Sequence, residues 1–158
     1  MEFREIDKTN YWDCMALTID GSQEGFVADN KQSLVEAAYE DGLYTLGIYH
    51  EETMVGFVLY DYDDTFPGWS MSRFMIGKQY QGKGYGKMLI EFVANRYRDQ
   101  YKILQVGTGD SPLTVPFYEA CGFAVVDRES DYFLRHYDHP ILEAGVLLRD
   151  RVILQKSI

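Results

Sequence analysis

A glycine-rich segment between a predicted strand and a predicted helix has the residue types needed to hold a phosphate group. The segment reads Gln81, Gly82, Lys83, Gly84, Tyr85, Gly86. The first backbone N–H groups of a helix have no partner within the helix, and glycines let the main chain approach an anion closely. The segment lacks the Gly-Lys-Ser/Thr ending of an ATP-binding loop and the Gly-x-Gly-x-x-Gly spacing of a dinucleotide-binding fold. The pattern therefore predicts a pyrophosphate cradle, with a plain strand-to-helix turn as the open alternative.

Hydrophobic periodicity predicts the elements that must position this cradle. Strands are predicted over residues 2–6, 44–50, 54–62, 69–76, 102–106, 123–128, 132–136 and 146–155, and helices over residues 11–18, 32–39, 84–97 and 113–121. Spacing places the inner face of the third helix at Tyr85, Met88, Leu89, Phe92 and Val93. The second helix is predicted to have Asp29 or Asn30 as its cap and to turn Leu34, Ala37 and Ala38 inward. This order of elements indicates one α/β domain with a mixed sheet.

Composition and charge restrict the class of protein. The chain has 158 residues, 46% of them hydrophobic, and a formal net charge of −10. We expect one folded domain. We expect no nucleic-acid partner, because binding to the phosphate backbone of nucleic acid needs a basic surface. A cationic partner fits the negative charge better. There is no run of apolar residues long enough for a membrane span and no signal or transit pattern, so we expect a cytoplasmic protein. Cys14 and Cys121 are predicted to be buried packing residues, and no metal site is expected.

Two motifs in order resemble those of the GNAT superfamily of N-acetyltransferases. Gln81, Gly84 and Gly86 follow a strand in the arrangement of that superfamily's coenzyme A pyrophosphate motif. About 30 residues later, the run from Thr114 to Phe123, with Tyr118-Glu119 before Gly122-Phe123, resembles its later helix. The resemblance implies a mixed, mostly antiparallel central sheet flanked by about four helices, over residues 1–158. It also implies an N-acetyltransferase that moves an acetyl group from acetyl-CoA to a primary amine.

The resemblance extends to site residues. It implies that the main chain of Phe74, Met75 and Ile76 pairs with the pantetheine arm of the co-substrate. The implied cofactor-binding set is Phe74, Met75, Ile76, Gln81, Gly82, Lys83, Gly84, Tyr85, Gly86, Lys87 and Ser111. It implies that the phenol of Tyr118 protonates, or donates a hydrogen bond to, the departing CoA thiolate. In its helix Tyr118 shares a stripe with Ser111 and Thr114 rather than with the apolar residues, so it is not predicted to belong to the core.

The proton acceptor and the amine substrate stay open. Many members of the superfamily carry a carboxylate on the strand before the cradle, but Ser70 and Ser72 stand at those positions. The alternatives for the base are an acid among Asp61, Asp63 and Asp64, the loop of Glu24, His136, or a chain of waters.

Residues 1–100 look most like spermine/spermidine-type acetyltransferases, on residues 23–28 and 55–57, whereas the tail looks like a different branch. We therefore expect a small cationic amine, a polyamine among the options, bound by the segments 23–30, 61–64 and 136–143 with Glu24, Asp63, Asp64 and His136. Two alternatives are a protein or peptide N-acetyltransferase and a non-catalytic acyl-CoA-binding module. A homodimer is left open.

Overall fold

The computed structural model describes residues 2–18, 30–63 and 68–158. Its strands are β1 (Glu2–Glu5), β2 (Leu43–His50), β3 (Thr53–Asp63), β4 (Gly68–Ile76), β5 (Ile103–Gly109), β6 (Ala124–Glu129), β7 (Leu142–Glu143), β8 (Val146–Leu147) and β9 (Arg151–Ser157). Its helices are α1 (Tyr11–Ala16), α2 (Asn30–Tyr39), α3 (Tyr85–Tyr97), α4 (Thr114–Ala120) and α5 (Tyr132–His136), with one 3-10 turn over Lys78–Tyr80. In these ranges no helix is long and apolar enough to cross a membrane.

Seven strands form one sheet in the order β1-β2-β3-β4-β5-β9-β6, and β7 pairs with β8 in a separate hairpin. Every neighbouring pair of the large sheet is antiparallel except β4 with β5, which is parallel. Strand β3 continues to Asp63, one residue beyond the predicted strand, and Asp61 pairs with Ser70 inside the sheet. The predicted fold class, a mixed and mostly antiparallel sheet flanked by helices, is confirmed.

The sheet opens between its two parallel strands. Strand β4 pairs with β3 as far as Ile76, but its pairing with β5 ends where Met71 lies opposite Val106. Beyond that point β5 continues beside β9 up to Gly109, so the two parallel strands move apart. The second half of β4 therefore presents a main-chain edge toward a gap in the sheet.

Helix α3 covers the sheet next to this gap, and its buried face differs from the predicted one. Its buried residues are Gly86, Leu89, Ile90, Val93 and Ala94, whereas Met88 is 43% exposed. Two adjacent stripes of α3 both have helical spacing, and only the packing against the sheet decides between them. The prediction was correct for Leu89 and Val93 and wrong for Met88. In α2, likewise, Ser33 is buried and Ala38 is exposed.

The predicted strand over residues 132–136 is wrong, because these residues form α5. The aromatic composition favoured a strand, but tertiary hydrogen bonds fix a helical turn here. Asp131 adopts a left-handed conformation with φ +55° before the helix, and its N–H donates to Asp150 Oδ1 at 3.0 Å. The N–H of Phe133 donates to the carbonyl of Arg149 at 3.0 Å. Helix α5 thus begins where hydrogen bonds to Arg149 and Asp150, which are distant in sequence, hold the backbone.

The predicted strand over residues 146–155 is in fact two strands, β8 and β9. Between them the N–H of Leu148 donates a hydrogen bond to the carbonyl of Ile141 at 2.9 Å. The carbonyl of Asp150 accepts a hydrogen bond from the N–H of Asp110. Leu148 is fully buried in a small cluster with Phe133 and Ile141. These hydrogen bonds are not part of the pairing between strands, so they interrupt the extended chain between β8 and β9. They also hold the β7–β8 hairpin over the end of the gap between β4 and β5.

Candidate active site

The predicted cradle lies at the N-terminus of α3 and its main chain is open. Gly82 and Gly84 have φ of +74° and +83°, a region that L side chains rarely adopt. A Cβ at either position would meet nothing within 4 Å. Gly84 is the N-cap of α3, and within the described residues no side chain caps the helix there. The first N–H groups of α3 are therefore available to an anion beside the gap in the sheet.

A cavity of about 430 Å³ runs from this cradle along the free edge of β4 to helix α4. All of the predicted cofactor-binding residues except Lys83 and Ser111 line it. Lys83 is exposed, with its ammonium 5.6 Å from the ring centroid of Tyr80. Ser111 is buried in the turn before α4, where its Oγ accepts the N–H of Leu113 at 3.1 Å. Gln81 closes the cradle against β4 by donating from Nε2 to the carbonyl of Ile76 at 3.0 Å.

A second cavity, of about 350 Å³, lies on the other side of the gap between β4 and β5. Its walls are residues 71–74 of β4, residues 106–109 of β5, part of α5, and two charged residues from the C-terminal region, Glu143 and Arg151. Four residues line both cavities: Phe74, Thr114, Tyr118 and Glu143. The two cavities are therefore adjacent at these four residues, here called the junction, which include a hydroxyl, a phenol and a carboxylate.

Tyr118 lies in this junction and is more buried than the sequence pattern predicts. It is 6% exposed, and its ring packs edge-on against Phe117 and Phe123 at centroid distances of 5.1 and 5.5 Å. Burial raises the pKa of the Tyr118 phenol well above its usual range, and the charges of Cys121 and Glu143 raise it further. The phenol thus keeps its proton at neutral and moderately alkaline pH, so it can donate a hydrogen bond but does not act as a base.

Glu143 is a site residue that the sequence analysis did not single out. It is the second residue of β7 and is fully buried. Burial of a carboxylate is costly unless its surroundings or a ligand compensate, so a buried acid that lines two cavities indicates a functional role. One sequence signal could have identified it, because Glu143 is the only charged residue in the run from Ile141 to Leu148.

The residues predicted to bind the substrate are placed less centrally. His136 is exposed on α5, stacks on Tyr132 at 4.1 Å between ring centroids, and lines neither cavity. Glu24 and Asp64 lie outside the described residues, and Asp63 is the last residue of β3. Ser72 lines the second cavity at a position where the resemblance had pointed to a carboxylate. In the part of the chain that is described, no group of three or more His, Cys, Asp or Glu residues is arranged to hold a metal ion.

Comparison with known proteins assigns the family. Residues 17–133 match the acetyltransferase (GNAT) domain family, and the chain therefore belongs to it. The chain is 37% identical over 76 residues to an uncharacterized N-acetyltransferase, YvbK, of Bacillus subtilis (strain 168), in an alignment that covers 47% of this chain and 49% of that protein. It is 29% identical over 97 residues to a probable spermine N(1)-acetyltransferase of Bacillus subtilis subsp. natto (strain BEST195), covering 57% of this chain and 63% of that one. The chain thus aligns with less than two thirds of the length of either relative.

A solved structure confirms the fold over nearly the whole chain. An acetyltransferase of Bacillus subtilis in complex with CoA superposes with a TM-score of 0.76 at 21% identity, covering 99% of this chain and 97% of that one. The predicted resemblance to GNAT N-acetyltransferases is therefore confirmed at the level of family and fold.

Proposed function

We propose that this protein is an acetyl-CoA-dependent N-acetyltransferase that acetylates a primary amine. The observation that carries the proposal is the junction: a cavity that begins at an open anion cradle lies next to a second cavity, and Tyr118 lines both. A two-substrate transfer requires this arrangement, because the acetyl donor and the amine have to approach one carbon atom from different sides. Family membership and the CoA complex of the related Bacillus subtilis structure support the choice of donor.

The residues of the first cavity fit a coenzyme A ligand. The open glycines and the start of α3 offer N–H groups for a pyrophosphate, and Lys87 lines the same cavity with its positive charge. The free edge of β4 over residues 74–76 offers main-chain donors and acceptors to an extended amide-containing arm, as an added strand would use them. The proposal thus assigns the phosphate end to the cradle and the acyl end to the junction.

Tyr118 is proposed to stabilise the sulfur that leaves. An ordinary phenol, with a pKa of about 10, is a weaker acid than an ordinary thiol, with a pKa of about 8.5, so transfer of its proton to a thiolate is uphill by about 2 kcal/mol. Because burial raises the pKa of Tyr118 further, its phenol is better suited to donate a hydrogen bond than to surrender its proton. We therefore assign Tyr118 the role of hydrogen-bond donor to the thiolate.

We propose a small cationic amine as the acceptor, with polyamines as the first candidates. The net charge of −10 favours the approach of a cation, and one named relative is a probable spermine N(1)-acetyltransferase. The second cavity, at about 350 Å³, suits a small molecule better than a folded protein surface.

The test is release of free CoA thiol from acetyl-CoA with a panel of amines: spermidine, spermine, short diamines, amino acids and peptides with a free N-terminus. Steady release with a diamine or polyamine, with KM rising as salt is added, is the expected result. Release only with peptides would identify the protein or peptide acetyltransferase alternative. Binding of CoA by calorimetry without release for any amine would identify a non-catalytic module.

A further inference from the structure

We propose that the side chain of Phe74 limits the acyl group that this protein transfers to a short one such as acetyl. The inference rests on the proposed acetyltransferase function, which assigns the acyl end of the donor to the junction. Of the four junction residues, Phe74 is the one with a purely apolar ring. An acyl chain longer than acetyl adds only methylene groups, so its fit depends on the space and the apolar surface around it.

The main chain of Phe74 is held in the sheet by β3. Phe74 lies opposite Val58, which is fully buried, and β4 stays paired with β3 as far as Ile76. On the other side of β4 the pairing with β5 ends at Met71, three residues before Phe74. Phe74 therefore borders the gap in the sheet on a backbone that its other neighbour fixes.

The ring of Phe74 packs against helices α3 and α4. It stacks on Phe117 of α4, with 6.1 Å between the ring centroids and 23° between the ring planes. Both rings lie over Gly86 of α3, which is buried. A Cβ at Gly86 would lie 3.1 Å from Cζ of Phe74 and 3.0 Å from Cζ of Phe117. The two rings thus already fill the space over Gly86, and Phe74 has no room to move toward α3 when a longer chain arrives.

The other three junction residues are held more firmly than Phe74. A hydrogen bond holds the side chain of Thr114, because Thr108 Oγ1 donates to Thr114 Oγ1 at 3.2 Å. Burial holds Tyr118 and Glu143, which are 6% and 0% exposed. Phe74 is half-buried, so it is the junction residue whose replacement opens space at the lowest cost in packing.

The bonds that form and break are the same for every acyl group. The nitrogen of the neutral amine forms a C–N bond with the carbonyl carbon, the C–S bond breaks with its electron pair on sulfur, and one proton from nitrogen ends on sulfur. The products are an amide and the free thiol of CoA. The ratio of kcat/KM between two acyl-CoA donors with one amine therefore measures how each acyl group fits. One methylene group in an apolar pocket changes such a ratio by about 10- to 200-fold.

The test measures kcat/KM for acetyl-, propionyl- and butyryl-CoA with the best amine of the panel, in the wild type, Phe74→Leu and Phe74→Ala. The wild type should prefer acetyl over propionyl by about 10- to 200-fold. The ratio of butyryl to acetyl transfer should rise by about 10-fold in Phe74→Leu and by about 100-fold in Phe74→Ala, because the two changes remove progressively more of the ring.

Phe92→Ala is the matched control. Phe92 of α3 is also half-buried and also stacks on a phenylalanine, Phe3, with 3.9 Å between the ring centroids, but it lines neither cavity. Its ratio of butyryl to acetyl transfer should equal that of the wild type. Three outcomes would overturn the proposal: a wild type that transfers butyryl as well as acetyl, an unchanged ratio in both Phe74 variants, or an equal shift in Phe92→Ala.

Calorimetry with CoA and with butyryl-CoA tests the same limit without turnover. The wild type should bind butyryl-CoA about 10-fold or more weakly than CoA, and Phe74→Ala should remove this difference. If Phe74→Ala does not fold, Phe74→Leu is used for both measurements, and a smaller shift in the same direction is expected. Equal affinities of the wild type for the two ligands would contradict the role of Phe74. Absence of thiol release by the wild type with every amine and every acyl-CoA would instead overturn the proposed function.

Discussion

At the scale of single residues, burial determines the protonation state of the Tyr118 phenol. The phenol is nearly inaccessible and its pKa lies well above the usual range, first because of burial. The Glu143 carboxylate nearby raises this pKa further. The phenol therefore keeps its proton and can donate a hydrogen bond within the junction.

We predict that Tyr118→Phe lowers kcat by about 10- to 10²-fold, the range for loss of one hydrogen bond to a charged group, with CoA affinity little changed. The ring packing against Phe117 and Phe123 should persist, because only the hydroxyl is removed. Thiol release and CoA calorimetry measure the two quantities. Tyr97→Phe is the control, since it removes a phenol that bonds Tyr60 at 2.8 Å and lines neither cavity. Equal activities of Tyr118→Phe and wild type would return Tyr118 to a packing role.

At the scale of elements, the start of α3 combines two requirements on one glycine. Gly84 must adopt φ +83° to cap the helix, and it must leave open space where the anion is proposed to lie. Gly42, in the turn between α2 and β2, has the same conformation with φ +84° and equally open surroundings, but it lines neither cavity. Substitutions at the two glycines should therefore cause similar backbone strain, but only a substitution at Gly84 should also affect ligand binding.

We predict that Gly84→Glu and Gly42→Glu each lower the free energy of unfolding by about 1 to 2 kcal/mol, the cost of a side chain in the left-handed region. Only Gly84→Glu should also weaken CoA binding, by about 10- to 100-fold or more, because its carboxylate occupies the anion cradle. Urea unfolding and calorimetry with CoA measure the two effects. If both variants bind CoA as the wild type does, the segment is only a turn.

The success of sequence reasoning differed between elements for a physical reason. The place of the glycine-rich segment at the start of α3 was predictable because its signals are local: glycines, a strand before them and an amphipathic helix after them. Helix α5 and Glu143 were missed because their conformations depend on contacts with residues far along the chain, such as the bond from Phe133 to Arg149. Likewise, two stripes of α3 fit the same spacing, and only the sheet below selects Ile90 over Met88.

At the scale of the whole molecule, several buried groups are kept protonated by the fold. Burial raises the pKa of Cys14 from 9.0 to about 12, and it also raises the pKa of Tyr60 and of Tyr118. Above pH 9 the unfolded chain loses these protons while the folded chain keeps them. Since the unfolded state then binds fewer protons, the free energy of unfolding falls as pH rises. For Cys14 this contribution is complete below about pH 9 and is lost as the pH rises toward about 12.

We predict that the urea midpoint falls between pH 8 and pH 10.5, because the free energy of unfolding falls by up to about 1.4 kcal/mol per pH unit for each group that ionises in the unfolded chain. Cys14→Ala should show a shallower fall, because it removes one such group. Leu17→Ala, which trims the same apolar cluster without a titrating group, should be less stable at every pH with the wild-type slope. Parallel curves for wild type and Cys14→Ala would exclude the thiol as a contributor.

The place of β9 in the sheet has a consequence for how the protein is made. Strand β9 lies between β5 and β6, so β6 can join the sheet only after residues 151–157 have been synthesised. A nascent chain that ends at Glu129 already contains β4, the glycine cradle, α3 and Tyr118, but it contains neither Glu143 nor Arg151. At about 5 to 20 residues per second, the remaining segment to β9 takes about 1 to 6 seconds to appear. During biosynthesis the cradle proposed to bind the donor is therefore made before Glu143 and Arg151, which line the cavity proposed to bind the acceptor.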